Sequence, residues 1–97
     1  MKSAARKRAR TFEHTADFRF YEELNDFLPP ASRQQTLPYR FNGHPAIKDP
    51  IEAFGVPHTE VDLVVVNGES VGFDYQLRNG DRVAVYPVFE GLDISPA

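Results

Sequence analysis

The residues of this chain predict a two-layer α+β fold, a mixed sheet of about five strands with one helix packed on one face. Three observations carry that prediction. Val61 to Phe89 holds two β-rich runs punctuated by Asn67-Gly68 and Asn79-Gly80, residue pairs that tolerate the positive φ of tight turns between strands. Two earlier stretches, Ala16 to Tyr21 and Thr36 to Phe41, alternate with the period of two that marks a half-buried strand. Between them and the late runs, Ile47, Ile51 and Phe54 fall at i, i+4 and i+7, along one side of a helix.

Taken in order, Ala16 to Tyr21 places Phe18 and Phe20 on one face, with Asp17, Arg19 and Tyr21 on the other. Glu22 to Arg33 breaks the alternation, and Asn25-Asp26 with Pro29-Pro30 marks a loop from which Phe27 and Leu28 are expected to dip onto the core. In the second strand Leu37, Tyr39 and Phe41 share a face, and Asn42-Gly43 closes it. Pro38 cannot donate to a ladder, so this strand belongs at an edge or beside a bulge.

Ala46 to Phe54 reads as the helix, with Gly55 as its stop and Pro57 beyond it. Pro50 requires a late start, near Ile47 or with Asp49 as cap and Pro50 as first residue, because an interior proline costs about 3 kcal/mol. Val61 to Val66 is apolar on both faces from Leu63 onward and is expected to be buried. After the Asn67-Gly68 turn comes a short piece around Ser70 to Phe73. The last strand, Arg82 to Val88, turns Val83 and Val85 inward and Arg82, Ala84 and Tyr86 outward.

At 97 residues the chain suffices for one small core. Residues 1–15 read as a basic, disordered tail, 16–90 as the domain, and 91–97 as a C-terminal tail or linker stub. Cysteine is absent, which excludes disulfides, thiolate metal sites and cysteine nucleophiles. No apolar run reaches the roughly 20 residues of a membrane span, so a cytoplasmic protein without membrane contact is expected. Lys2, Arg6, Lys7, Arg8 and Arg10 crowd the first ten residues, leaving six basic against fourteen acidic side chains, a net of −8, from residue 11 onward. That sign opposes phosphate binding by the body, so any RNA contact falls to those five tail residues.

No catalytic constellation emerges. His14, His44 and His58 show neither helical pair spacing nor cysteine partners and read as loop histidines. Glu22, Glu23 and Asp26 lie in a loop without a nucleophile or a calcium-loop spacing, and the glycines build no phosphate loop. Glu60, Asp62, Asp74 and Asp81 read as solvated turn charge that could alternatively meet a basic partner. No enzyme and no cofactor is expected. The surface is more informative: Tyr86 with Val88 on an open sheet face, continuing to Phe89, has the composition of a docking patch. The alternative is that Tyr86 and Phe89 cover the sheet edge or pack under the Glu22 to Arg33 loop.

Strand, strand, helix, strand, short strand, strand is the order of a ubiquitin-like β-grasp. Leu63 to Gly68 (LVVVNG), Leu77 to Val83 (LRNGDRV) and Tyr86 to Val88 (YPV) resemble the second half of the sulfur carriers of thiamine and molybdopterin synthesis. Phe18 to Pro29 (FRFYEELNDFLP), Val56 to Asp62 (VPHTEVD) and Val85 to Glu90 (VYPVFE) resemble more closely the ubiquitin-like domain that precedes the Mut-seven C-terminal, PIN-like ribonuclease module. This resemblance implies a non-catalytic, monomeric module held by a protein partner, a PIN-like ribonuclease in cis or in trans.

Sulfur carriers end in Gly-Gly, whereas Phe89 to Ala97 (FEGLDISPA) holds the single Gly91. A degenerate or processed carrier is the alternative, and RNA binding through the tail a further one. The nuclease's acidic metal site has no counterpart in the matching motifs, so nuclease activity is not carried onto these residues.

Overall fold

The computed structural model describes residues 11–88. Five strands, β1 (His14–Phe20), β2 (Leu37–Phe41), β3 (Val61–Val66), β4 (Glu69–Val71) and β5 (Arg82–Pro87), form one sheet in the order β2-β1-β5-β3-β4. The helix α1 (Lys48–Ala53) packs on one face. β1 and β5 run parallel at the centre, and every other pairing is antiparallel. β1 begins two residues before the expected Ala16, with His14 paired to Phe41. β2 is an edge strand, which is where Pro38 can sit without breaking a ladder on both sides.

The inward faces of these elements meet in one core, with Phe18, Phe20, Ile47, Ile51, Val56, Leu77 and Val85 all but sealed from water. Each such side chain contributes roughly 1.5–3 kcal/mol by burial. Phe54, at the end of α1, sets its ring 5.3 Å from both Phe18 and Phe20 and 5.6 Å from Tyr39, tying the helix to β1 and β2. The helical stripe expected of Ile47, Ile51 and Phe54 thus faces the sheet.

α1 has no side-chain cap, and Asp49 lies inside it rather than capping it. Its first donors go elsewhere: Ile47 N–H donates to Tyr75 O at 2.7 Å and Lys48 N–H to Phe73 O at 3.3 Å. Pro50 falls within the first turn. The carbonyl its missing N–H would have reached, Ala46 O, accepts from Asp49 N–H at 2.9 Å instead, so no backbone acceptor is orphaned.

Several expectations are corrected. β3 is not buried throughout: a bulge between Val61 and Leu63 turns both Asp62 and Leu63 outward, leaving Leu63 38% exposed, and only Val61, Val64 and Val66 reach the core. In the loop after β1, Leu24 joins Leu28 inside while Phe27 is exposed. Two Asn25 Nδ2 bonds, to Phe20 O and Glu22 O, hold that segment, and Oδ1 accepts from Gln34 N–H.

Asn67-Gly68 is the two-residue hairpin turn expected, both residues at positive φ, between the Val66 and Glu69 partners. Asn79-Gly80 is not a turn between strands. Only Gly80 adopts positive φ there, and the Asn79 carboxamide oxygen accepts the Thr15 N–H of β1.

Candidate functional site

The face of the sheet opposite α1 is uncovered along its centre. Strand pairing sets Leu63 opposite Tyr86 and Val65 opposite Ala84, while Ala84 lies beside Arg19 on the other side. Tyr21, one residue beyond β1, lays its ring against Tyr86 with centroids 4.7 Å apart and planes 10° off parallel. The result is a band of half-buried and exposed groups, Tyr21, Tyr86, Leu63, Val65 and Ala84, running across three strands. Val88 extends it at 43% exposure, its backbone N–H held by Glu60 O.

Two guanidinium groups border this band. Arg19 sits 5.6 Å from the Tyr21 ring centroid, and its Nε is shut off from solvent with no acceptor. Arg82 lies two residues along the ladder, in register with Asp17, and no ion pair joins the two. Arg19, Arg82, Tyr21, Thr36, Val65 and Ala84 line a shallow depression of about 930 Å³.

Of the residues expected in a docking patch, Tyr86 and Val88 are therefore on the open face, and Phe89 lies outside the described residues. Tyr86 is partly covered, with the Tyr21 ring stacked on it. The tail residues Lys2, Arg6, Lys7, Arg8 and Arg10 also lie outside the described residues. Sequence reasoning missed Leu63, assigned to the interior, and left Tyr21 and Arg19 out of the patch. The alternation of β1 carried the signal for both, since it set them on the outward face.

The other chemistry-bearing side chains do not converge. Among the described residues no three histidine or carboxylate groups come within reach of one metal ion. His14 is half-buried in β1 rather than in a loop, whereas His44 is an exposed loop residue; their rings stack 5.3 Å apart, His14 packs against Phe41 as well, and His44 Nδ1 contacts Leu77 O. His58 is tied by its ring Nδ1 and its backbone N–H to Glu52, whose carboxyl is held below the ordinary range by those two hydrogen bonds.

Asp81, expected as solvated turn charge, is only 5% exposed. Its carboxylate accepts from Asn67 Nδ2, Tyr75 Oη and Arg78 N–H at 2.8–2.9 Å, and burial with this neighbour pushes the Tyr75 phenol up. Asp81 is thus a clamp between two turns, and the acidic band shrinks to Glu60, Asp62 and Asp74. No helix among the described residues is long and apolar enough to cross a membrane.

Residues 13–93 match the family described as Mut7-C ubiquitin. The chain belongs to the Mut7-C ubiquitin family. Solved structures share the fold of this Mut7-C ubiquitin domain at low identity. The small archaeal modifier protein 1 of Haloferax volcanii is 17% identical, with a TM-score of 0.59 over 77% of this chain and 98% of that one. A putative molybdopterin converting factor subunit 1 from Pyrococcus furiosus is 19% identical, with the same TM-score and the same coverage. The Haloferax volcanii HVO 2177 protein is 17% identical, with a TM-score of 0.63 over 86% of this chain and 97% of that one. No curated protein matches the sequence. The fold is the β-grasp expected, and the Mut7-C ubiquitin domain shares it with these three structures.

Proposed function

We propose that this Mut7-C ubiquitin domain is a non-catalytic docking module, gripped through its open sheet face by a protein partner, and that the partner is a PIN-like ribonuclease domain in the same or another chain. The observation that carries the reading is the aromatic and aliphatic band of Tyr21, Tyr86, Leu63 and Val65 on the face that α1 leaves bare. Aromatic groups that expose large area at small entropic cost are what interface hot spots are made of. The buried polar side chains Asp81 and Asn25 are engaged in holding turns, which supports a structural rather than a chemical use of them.

Calorimetric titration of the domain with a purified PIN-like ribonuclease domain tests the proposal. Tyr86→Ala is expected to weaken binding by roughly tenfold or more, as loss of a central aromatic does. Affinity unchanged in Tyr86→Ala and in Leu63→Asp rules the face out.

The likeness to the molybdopterin converting factor subunit favours a second reading, a degenerate or processed sulfur carrier acting through a carboxyl end exposed at Gly91. Intact-mass measurement after incubation with ATP and an activating enzyme decides it, since an adenylate or thiocarboxylate changes the mass and an unreactive chain does not.

A further inference from the structure

Two guanidinium groups, Arg19 and Arg82, border the apolar band of the open face, and Asp17 is the one carboxylate lining the depression beside them. From residue 11 onward acidic side chains outnumber basic ones by fourteen to six, yet the guanidinium groups nearest the Tyr21–Tyr86 stack, Arg19 and Arg82, form no ion pair among the described residues. Arg19 is half-buried and laid against Tyr21, so part of the rotamer entropy that binding would cost is already lost in the free domain. A carboxylate is the acceptor a guanidinium takes best, in the planar, two-pronged geometry that lysine cannot offer.

We propose, building on the docking reading above, that the segment seated on this face joins apolar side chains to a carboxylate, with the apolar groups on Tyr86, Leu63 and Val65 and the carboxylate on Arg19 and Arg82. Arg19 stands opposite Ala84 and Arg82 opposite Asp17, two residues apart along the β1–β5 ladder, and both line the depression together with Val65, so an Asp or Glu next to an apolar residue meets both surfaces. Asp17 lines the same depression and disfavours a segment with several acids in a row. Nucleic acid fits the face less well. Its many phosphates would meet the net negative charge of the domain, and the Tyr21 and Tyr86 rings already stack on each other.

The test uses the full chain and two labelled peptides, Gly-Leu-Glu-Leu-Phe-Gly and the same peptide with Gln for Glu, followed by fluorescence anisotropy. The Glu peptide is expected to bind roughly tenfold more tightly than the Gln peptide, the scale of a hydrogen bond to a charged group. In Arg19→Gln the preference should shrink, with Arg19→Lys between the extremes, and in the Arg19→Gln, Arg82→Gln double variant the two peptides should bind alike. Equal affinities on the unaltered chain, a preference that survives in the Arg19→Gln, Arg82→Gln double variant, or binding of neither peptide overturns the proposal. So does capture of single-stranded RNA that the Glu peptide fails to displace. Tyr86→Ala separates the two readings: if it weakens both peptides while Glu and Gln remain indistinguishable, the docking face stands and only its charge preference is wrong. If Tyr86→Ala changes neither, the face itself is wrong.

Discussion

The Tyr75 hydroxyl donates to the buried Asp81 carboxylate at 2.8 Å, and through it the loop after β4 is joined to the entrance of β5. The same carboxylate takes Asn67 Nδ2 from the β3–β4 turn and the Arg78 N–H. Asp81→Ala strands all three donors and is expected to cost about 2–4 kcal/mol, measured by urea denaturation. Asp62→Ala, on an exposed carboxylate at the opposite end of the β3–β5 pair, should stay within about 0.5 kcal/mol.

Alkaline pH addresses the same pair. Burial, and then the Asp81 neighbour, raise the Tyr75 phenol in the folded chain. The folded state therefore holds its proton longer than the unfolded state, and the stability linked to it is present below about pH 10 and lost as pH rises further. Urea midpoints collected between neutral and strongly alkaline pH should fall less steeply for Tyr75→Phe. Equal slopes for the two proteins would show that Tyr75 does not titrate differently on folding.

At the acid end, Glu52 is held below its ordinary value by the His58 side chain first and the His58 backbone N–H second. A depressed carboxyl contributes stability above its unfolded value of about 4.5, which disappears as pH falls through the lower folded value. Glu52→Gln should flatten that limb of the stability curve and leave the alkaline limb as it was.

Asn25 holds the segment that carries Tyr21 to the open face, through Phe20 O, Glu22 O and the Gln34 N–H. Asn25→Ala is expected to destabilise by about 1–3 kcal/mol and to speed amide exchange at Gln34. Exchange at Gln34 that does not change would mean the loop is held by Leu24 and Leu28 alone.

The core helix gives the largest single effect. Ile51→Ala empties a site with no solvent contact and should cost about 2–5 kcal/mol, a large share of the stability of a domain this small.

How much of this was legible depended on the range over which each feature is set. Alternation in Phe18 and Phe20, in Leu37, Tyr39 and Phe41, and in Val83 and Val85 is local, and it gave the inward faces directly. The spacing of Ile47, Ile51 and Phe54 gave the helix although it has only six residues, because its stability comes from packing that the spacing reflects. Leu63 was misread because a bulge is a property of the pairing between β3 and β5, and a run of valines does not announce which residue it displaces. Asp81 was misread for a related reason. A carboxylate beside an Asn-Gly pair is ordinarily solvated, and only the arrival of Asn67 and Tyr75 from other segments makes a buried one tolerable. The patch was half legible: Tyr86 stood out, while its stacking partner Tyr21 comes from the opposite end of the domain's sequence.

Because β1 and β5 lie side by side and point the same way, the polypeptide enters the sheet at one end and leaves it at the other. A pull applied through the flanking chain slides these two central strands along each other instead of unzipping them from one end. The ladder between them then resists as a set, its bonds strained together rather than in sequence. Placed between a tethered partner and a moving one, the domain would transmit force with little give.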